Sequence, residues 1–177
     1  MMRLTELTDE KKLVLKKLNY PMDALAPVMS KHNVEVHYDI LTKNYFKKYA
    51  KTGDLFQKAG AVLHNQYWSI LKPYSDKNEP TEKVINLLDS RYGSFKKFKD
   101  EWIEEALKLE GSGWIMLSKT GSIFLVKNHQ IKSNAILIDL WEHASVDYDF
   151  NKEKFLTDFW KIIDWDKVEK RLLPNND

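Results

Sequence analysis

Residues 138–150 read IDLWEHASVDYDF. An apolar run ends on a carboxylate, Asp139, and a histidine, His143, follows four positions later, with Trp141 and Glu142 between them. A carboxylate taken out of water needs a cation or several donors, because an unpaired buried charge is very costly. The partner can be a proton, an arginine or a metal. Asp139 and His143 can also form a simple ion pair on one helix. The run AILID just upstream argues against that pair, since it reads as a strand and sets a strand end against the start of a helix.

The rest of the chain holds four other histidines, His32, His37, His64 and His129. Ser30 is placed to cap a helix over residues 31–50, whose inward face is Val34, His37, Leu41, Tyr45 and Tyr49. Lys51, Thr52, Gly53 and Asp54 form a turn, and residues 55–71 make a second helix bearing Gly60, His64, Tyr67, Trp68 and Leu71. Helix, short turn and helix make an antiparallel hairpin. A lone histidine among apolar neighbours is usually a hydrogen-bonded core residue. Two of them on facing helices, in a histidine-poor chain that also carries an Asp–His pair, shift the balance toward a mononuclear metal site. Three imidazoles and one carboxylate suit iron, manganese or zinc better than calcium or magnesium, which prefer oxygen ligands. A zinc hydrolase would fit the donor types, but the chain has no HExxH and no general base nearby.

Outside the hairpin, Pro21 and Pro27 forbid a long helix over residues 18–29. The polar, proline-bounded stretch KPYSDKNEP, residues 72–80, reads as a linker. Thr81 caps a helix to about Arg91, and Ser94 caps another to about Leu109. WIMLS and IFLV, joined by the turn at residues 119–122, read as a β-hairpin, and AILID supplies a third strand. NKEKFLTDFWKII and DWDKVEKRLL return to helix. The expected class is α+β: an arm at 1–17, a helical hairpin domain at 18–72, and an α/β domain at 81–177 with a three-stranded antiparallel sheet.

Charge is nearly balanced, 28 basic against 26 acidic residues, which gives no electrostatic case for a nucleic-acid partner. The small cluster Lys96, Lys97 and Lys99 is followed by Asp100, Glu104 and Glu105 and reads as a solvated helix face. With no cysteine there is neither a disulfide framework nor thiolate chemistry. No apolar run approaches the roughly 20 residues that span a bilayer. The lysine-rich N-terminus carries Glu6, Asp9 and Glu10, unlike a transit peptide. A cytoplasmic protein without a membrane partner is expected.

The run Asp139-Leu140-Trp141-Glu142-His143-Ala144 resembles the D-x-W-E-H-A signature of the iron/manganese superoxide dismutases. The likeness continues in LNYPMDALAPVMS, VEVHYDILTKNY, LHNQYWSIL, YGSFKKFKDEW, EGSGWIML, DFWKIIDW and VEKRL, in family order from about Leu18 to Leu173. It implies a superoxide-disproportionating enzyme with one iron or manganese ion per chain, held by His37, His64, Asp139 and His143. Tyr45 matches the family's active-site tyrosine. His129 falls where the family places a glutamine or histidine that bonds the metal's solvent ligand. With Gly60 four residues before His64, this form resembles archaeal members. Trp68, Trp114 and Trp141 match the aromatic shell, and Glu142 matches a glutamate that reaches the partner's ligand histidine in a homodimer. A shape-keeping, non-enzymatic relative is the alternative, although such relatives tend to lose ligands and all four are present here.

The pattern departs from the family in four places. Only 18 residues separate Tyr45 from His64, where members usually have a longer excursion. Leu41 stands where most members carry a channel histidine, and Ser145 and Val146 replace two aromatics. In the family that histidine and the second aromatic, a tyrosine, bond between subunits. The channel's basic residue is Lys152 or Lys154 rather than arginine. A dimer with a less polar interface is therefore expected.

Overall fold

Six α-helices begin at a side chain that satisfies one of their first free N–H groups. Ser30, Asp54, Thr81, Ser94, Asn151 and Asp164 accept from the backbone three residues on. In a computed structural model describing residues 13–173, these caps open α1 (Lys31–Val34), α3 (Leu55–Ser69), α4 (Glu82–Tyr92), α5 (Phe95–Leu107), α6 (Lys152–Phe159) and α7 (Trp165–Leu172). α1 continues without interruption through a π-helical segment, Glu35–Thr42, into α2 (Lys43–Thr52). Gly53, at φ +67°, ends α2 and lets the chain reverse into α3.

The π segment shifts the inward face. An i→i+5 turn holds more residues than an α turn, so Val34, His37, Tyr38 and Thr42 are buried. Leu41, Tyr45 and Tyr49 are only half-buried. The expected regular stripe through Leu41 is therefore replaced by one passing through Thr42.

The sheet has strand order β2-β1-β3, with both pairs antiparallel. β1 (Gly113–Leu117) is buried along its whole length, as a central strand should be. β2 is Ile123–Lys127 and β3 is Ile136–Asp139. Their register sets Trp114 opposite Asp139 at the sheet's end. Beyond β3 the chain enters a 3-10 segment, Glu142–Tyr148, so Asp139 and His143 are not on one helix.

One hydrophobic cluster runs through both helical and α/β parts, from Tyr20, Leu25 and Leu63 to Trp102, Ile138, Phe159 and Leu172. The segment 72–80 is tied down rather than loose. Lys72 and Ser75 donate to Ile162 O and Lys161 O, Tyr74 donates to Ala24 O, and Asn78 Nδ2 reaches Trp160 O and Ile163 O. Most of the expected N-terminal arm lies outside the described residues. Its last part is pinned: Lys16 N–H donates to Asn65 Oδ1, Asn65 Nδ2 to Val14 O, and Tyr38 OH to Lys16 O.

Candidate metal centre

Three distant segments converge where β3 ends. The π segment brings His37, α3 brings His64, and the sheet edge with the following 3-10 segment brings Asp139 and His143. One donor atom from each lies within 4.8 Å of the other three. The Nε2 atoms of His37 and His143 are each 3.2 Å from Asp139 Oδ2, and that of His64 is 3.5 Å away. Asp139 Oδ1 is occupied, accepting the Trp141 N–H at 2.8 Å. Only Oδ2 faces the imidazoles.

The tautomer of His64 follows from its other nitrogen. Nδ1 lies 2.7 Å from Gly60 O, which can only accept, so Nδ1 carries the hydrogen and Nε2 presents a lone pair to the centre. His64 Nε2 and both nitrogens of His37 are buried with no hydrogen-bond partner among the described residues. Buried polar atoms rarely stay unsatisfied, and a cation beside the carboxylate would satisfy the Nε2 lone pairs of His37 and His64 together, with His37 Nδ1 left to carry the ring hydrogen. Nitrogen and carboxylate donors suit a transition metal. The residues fit the group.

Electrostatics point the same way. Burial pushes the His37 imidazole down to about 3, against the opposing pull of Asp139, so it stays neutral and able to ligate. Burial alone would raise the Asp139 carboxyl. The surrounding imidazoles, His143 first, outweigh burial and hold the group well below the usual carboxylate range.

Behind the donors, Trp114 Nε1–H, which can only donate, lies 3.1 Å from His129 Nδ1. His129 therefore carries its hydrogen on Nε2, which sits 2.8 Å from the Tyr45 hydroxyl. Tyr45 accepts that bond and keeps its own hydrogen free. Burial lowers His129 to about 4 and raises Tyr45 to about 12, so both are neutral near pH 7. Asn128, at φ +57°, turns the chain out of β2 to deliver His129. The His129 ring stacks on Trp141 at 4.8 Å and 15°. Gly60 makes room for the Tyr45 ring, because a Cβ there would lie 2.6 Å from it.

Residues 80–171 match the profile of the iron/manganese superoxide dismutases, C-terminal domain. A superoxide dismutase (Mn/Fe) of Porphyromonas gingivalis is 33% identical, the alignment covering 87% of this chain and 96% of that one. A superoxide dismutase (Fe) of Bacteroides fragilis is also 33% identical, over 88% and 97%. Another (Fe), of Sulfolobus acidocaldarius, is 30% identical over 96% and 97%. The chain belongs to the iron/manganese superoxide dismutase family.

Of the positions that set this superoxide dismutase family member apart, Ser145 is buried, Leu41 half-buried and Val146 40% exposed. Lys152, not Lys154, shares a groove with Glu142, Ser145 and Phe150. Glu142 is exposed, with no ion-pair partner among the described residues. Trp68 and Trp114 are buried against the donors, their rings 4.8 Å from His37 and 5.1 Å from His64.

Two residues were not legible from sequence. Thr42 Oγ1 accepts from Trp68 Nε1–H at 3.0 Å and donates to His37 O at 2.8 Å, joining both ligand helices. Its only signal is a hydroxyl five positions after a histidine, which no α-helical pattern highlights. Phe56 covers the open side of His129, ring to ring at 4.8 Å, and reads in sequence as an ordinary helix-start aromatic.

Proposed function

We propose that this chain disproportionates superoxide at a single iron or manganese ion bound by His37, His64, Asp139 and His143: two superoxide anions and two protons give one dioxygen and one hydrogen peroxide. One observation carries the assignment. Three imidazole Nε2 atoms surround one oxygen of a buried carboxylate, and two of those nitrogens have no other partner. The metal supplies alternating one-electron oxidation and reduction. Asp139, anionic and deeply buried, favours its higher charge state. The chain's own residues manage protons. His129 Nε2–H donates to Tyr45, which leaves the Tyr45 hydroxyl hydrogen available to the nascent peroxide, and Trp114 holds His129 in the tautomer this needs. Trp68, Trp114 and Trp141 wall the centre against bulk water. Activity assayed with metal content on purified protein tests the reading. A protein that binds iron or manganese yet leaves superoxide untouched would favour the shape-keeping alternative.

The same reading extends to a homodimer. Glu142 is exposed beside His143, whose side chain is 22% exposed on its outward side. A two-fold contact would let each Glu142 accept the remaining N–H of the partner subunit's ligand histidine. Val146 and Phe150 lie exposed on the same loop and add apolar area. Sedimentation of the metal-loaded protein is expected to give a dimer, weakened in Glu142→Ala; a monomer at micromolar concentration would contradict it. A cytoplasmic, antioxidant role suits the absence of cysteine, and among the described residues no helix is long and apolar enough to cross a membrane.

A further inference from the structure

His37 and His143 come from segments that meet at a second point. Asp147, four residues after His143, lies against the start of the helix that carries His37. Its Oδ2 accepts the Ser30 backbone N–H at 2.7 Å and Asn33 Nδ2 at 3.0 Å, and its Oδ1 accepts the Ser30 hydroxyl at 2.8 Å. Ser30 Oγ in turn accepts the Asn33 N–H at 3.1 Å, as the helix cap. The unbroken helical run from Lys31 to Thr52 presents its positive end to this carboxylate. Asp147 thus couples the two segments through three hydrogen bonds to a charged acceptor, the stronger kind.

The segment holding His143 needs such a tie. Glu142–Tyr148 is a 3-10 stretch interrupted at Ser145, whose φ −112° and ψ 19° are not helical. Two left-handed residues follow, Asp149 at φ +51° and Phe150 at φ +64°. Conformations of that kind persist only where surrounding contacts over-determine them. Helical rigidity cannot aim His143, whose ring must sit 4.5 Å from that of His37. Tyr148 OH, 3.2 Å from Asp158 Oδ2, fastens the back of the segment to α6 rather than to the His37 helix.

We propose that Asp147 is a positioning residue of the metal centre, fixing the His143 segment on the N-terminus of the His37 helix so that both imidazoles are in place before the ion arrives. The proposal rests on the four-donor reading above.

The test compares wild type, Asp147→Ala, Asp147→Asn and a control, Asp54→Ala. The control removes an equivalent cap, since Asp54 Oδ1 accepts the Gln57 N–H at the start of α3, away from the donors. Two readouts are taken: the Mn2+ dissociation constant by chelator competition, and the gap in thermal midpoint between loaded and metal-free protein. Asp147→Ala is expected to raise the dissociation constant about tenfold, the low end for residues supporting metal ligands, and so to narrow the gap. Asp147→Asn keeps an oxygen for the two N–H donors and an amide for Ser30 Oγ, and is expected to recover most of the affinity. Asp54→Ala is expected to lower both midpoints and leave the gap unchanged. Wild-type affinity and an unchanged gap in Asp147→Ala would overturn the proposal, even with a lowered midpoint. Should that variant fail to fold, Asn33→Ala, which deletes the Asn33 Nδ2 bond and leaves the Ser30 cap in place, is read by the same criteria. A wild type that takes up neither Mn2+ nor Fe2+ would overturn the four-donor reading and this proposal with it.

Discussion

The two helices that bring histidines to the centre hold them by different means. α3 is a regular helix, and His64 is locked by a bond to its own backbone, Nδ1–H to Gly60 O. The other helix is π-helical around His37, and neither nitrogen of that ring has a hydrogen-bond partner among the described residues. His37 is held by rings instead: Trp68 at 4.8 Å, His143 at 4.5 Å, His64 at 5.1 Å and Tyr67 at 5.5 Å. π-helical turns often mark functional sites; here one keeps both His37 and Thr42 on the buried side. A hydrogen bond therefore sets the lone pair of one ligand, and packing plus a distorted backbone aims the other.

The largest expected effect comes from removing the hydrogen-bond-locked ligand. His64→Ala leaves three donors, and metal analysis should show most of the metal gone; a variant retaining full occupancy would show that the ligand assignment is wrong. Next come two substitutions beside the ligands, one at the seat of Tyr45 and one at the tie between the two helices. Gly60→Ala forces a Cβ to within 2.6 Å of the Tyr45 ring, an overpacking that costs about 1–3 kcal/mol and displaces Tyr45 from His129. Thr42→Val is nearly isosteric but strands the buried Trp68 N–H, costing about 1–3 kcal/mol. Denaturant melts should show both losses. Thr42→Val is also expected to weaken metal retention, while Gly60→Ala is expected mainly to lower activity. Equal effects of both on both readouts would dissolve the distinction.

A smaller effect is the pH response of metal-free protein. His37 is lowered to about 3 when folded and titrates at about 6.5 when unfolded. Its contribution is thus fully present above pH 6.5 and is lost as pH falls toward 3. The slope is up to about 1.4 kcal/mol per unit. Unfolding midpoints at pH 7 and pH 5 should differ accordingly, and His37→Gln should flatten the difference; an unaltered slope in that variant would mean that His37 is not buried neutral. The subtlest change is His129→Gln. A glutamine can still accept from Trp114 and donate to Tyr45, so metal should stay bound while activity and the choice between iron and manganese shift. A variant matching the parent in both respects would reduce His129 to a packing residue.

What could be read in advance was local. The Asp139–His143 spacing, the caps Ser30, Thr81 and Ser94, and the β-hairpin around residues 119–122 are each written within a few positions, and the structure places elements there. The π segment was not legible, because its i→i+5 register imitates a helical stripe and then slips by one residue. That slip is why Thr42, not Leu41, reaches the interior. The segment 72–80 looked like a linker on composition alone; its order comes from backbone bonds to residues 161–162 that no local pattern announces. Of the supporting residues, Tyr45 and His129 each follow from the family resemblance, but the bond between them does not. The Ser30–Asp147 contact, between residues 117 apart, had no signal.

If one redox metal held by these four side chains performs the reaction, activity must follow metal content. Returning iron or manganese stepwise to metal-free protein and reading superoxide dismutation tests it most directly. No activity is expected without metal, then a linear rise that stops at about one ion per chain, the capacity of the one four-donor cluster among the described residues. Activity in the metal-free protein, or a rise that continues well past one ion, would contradict it.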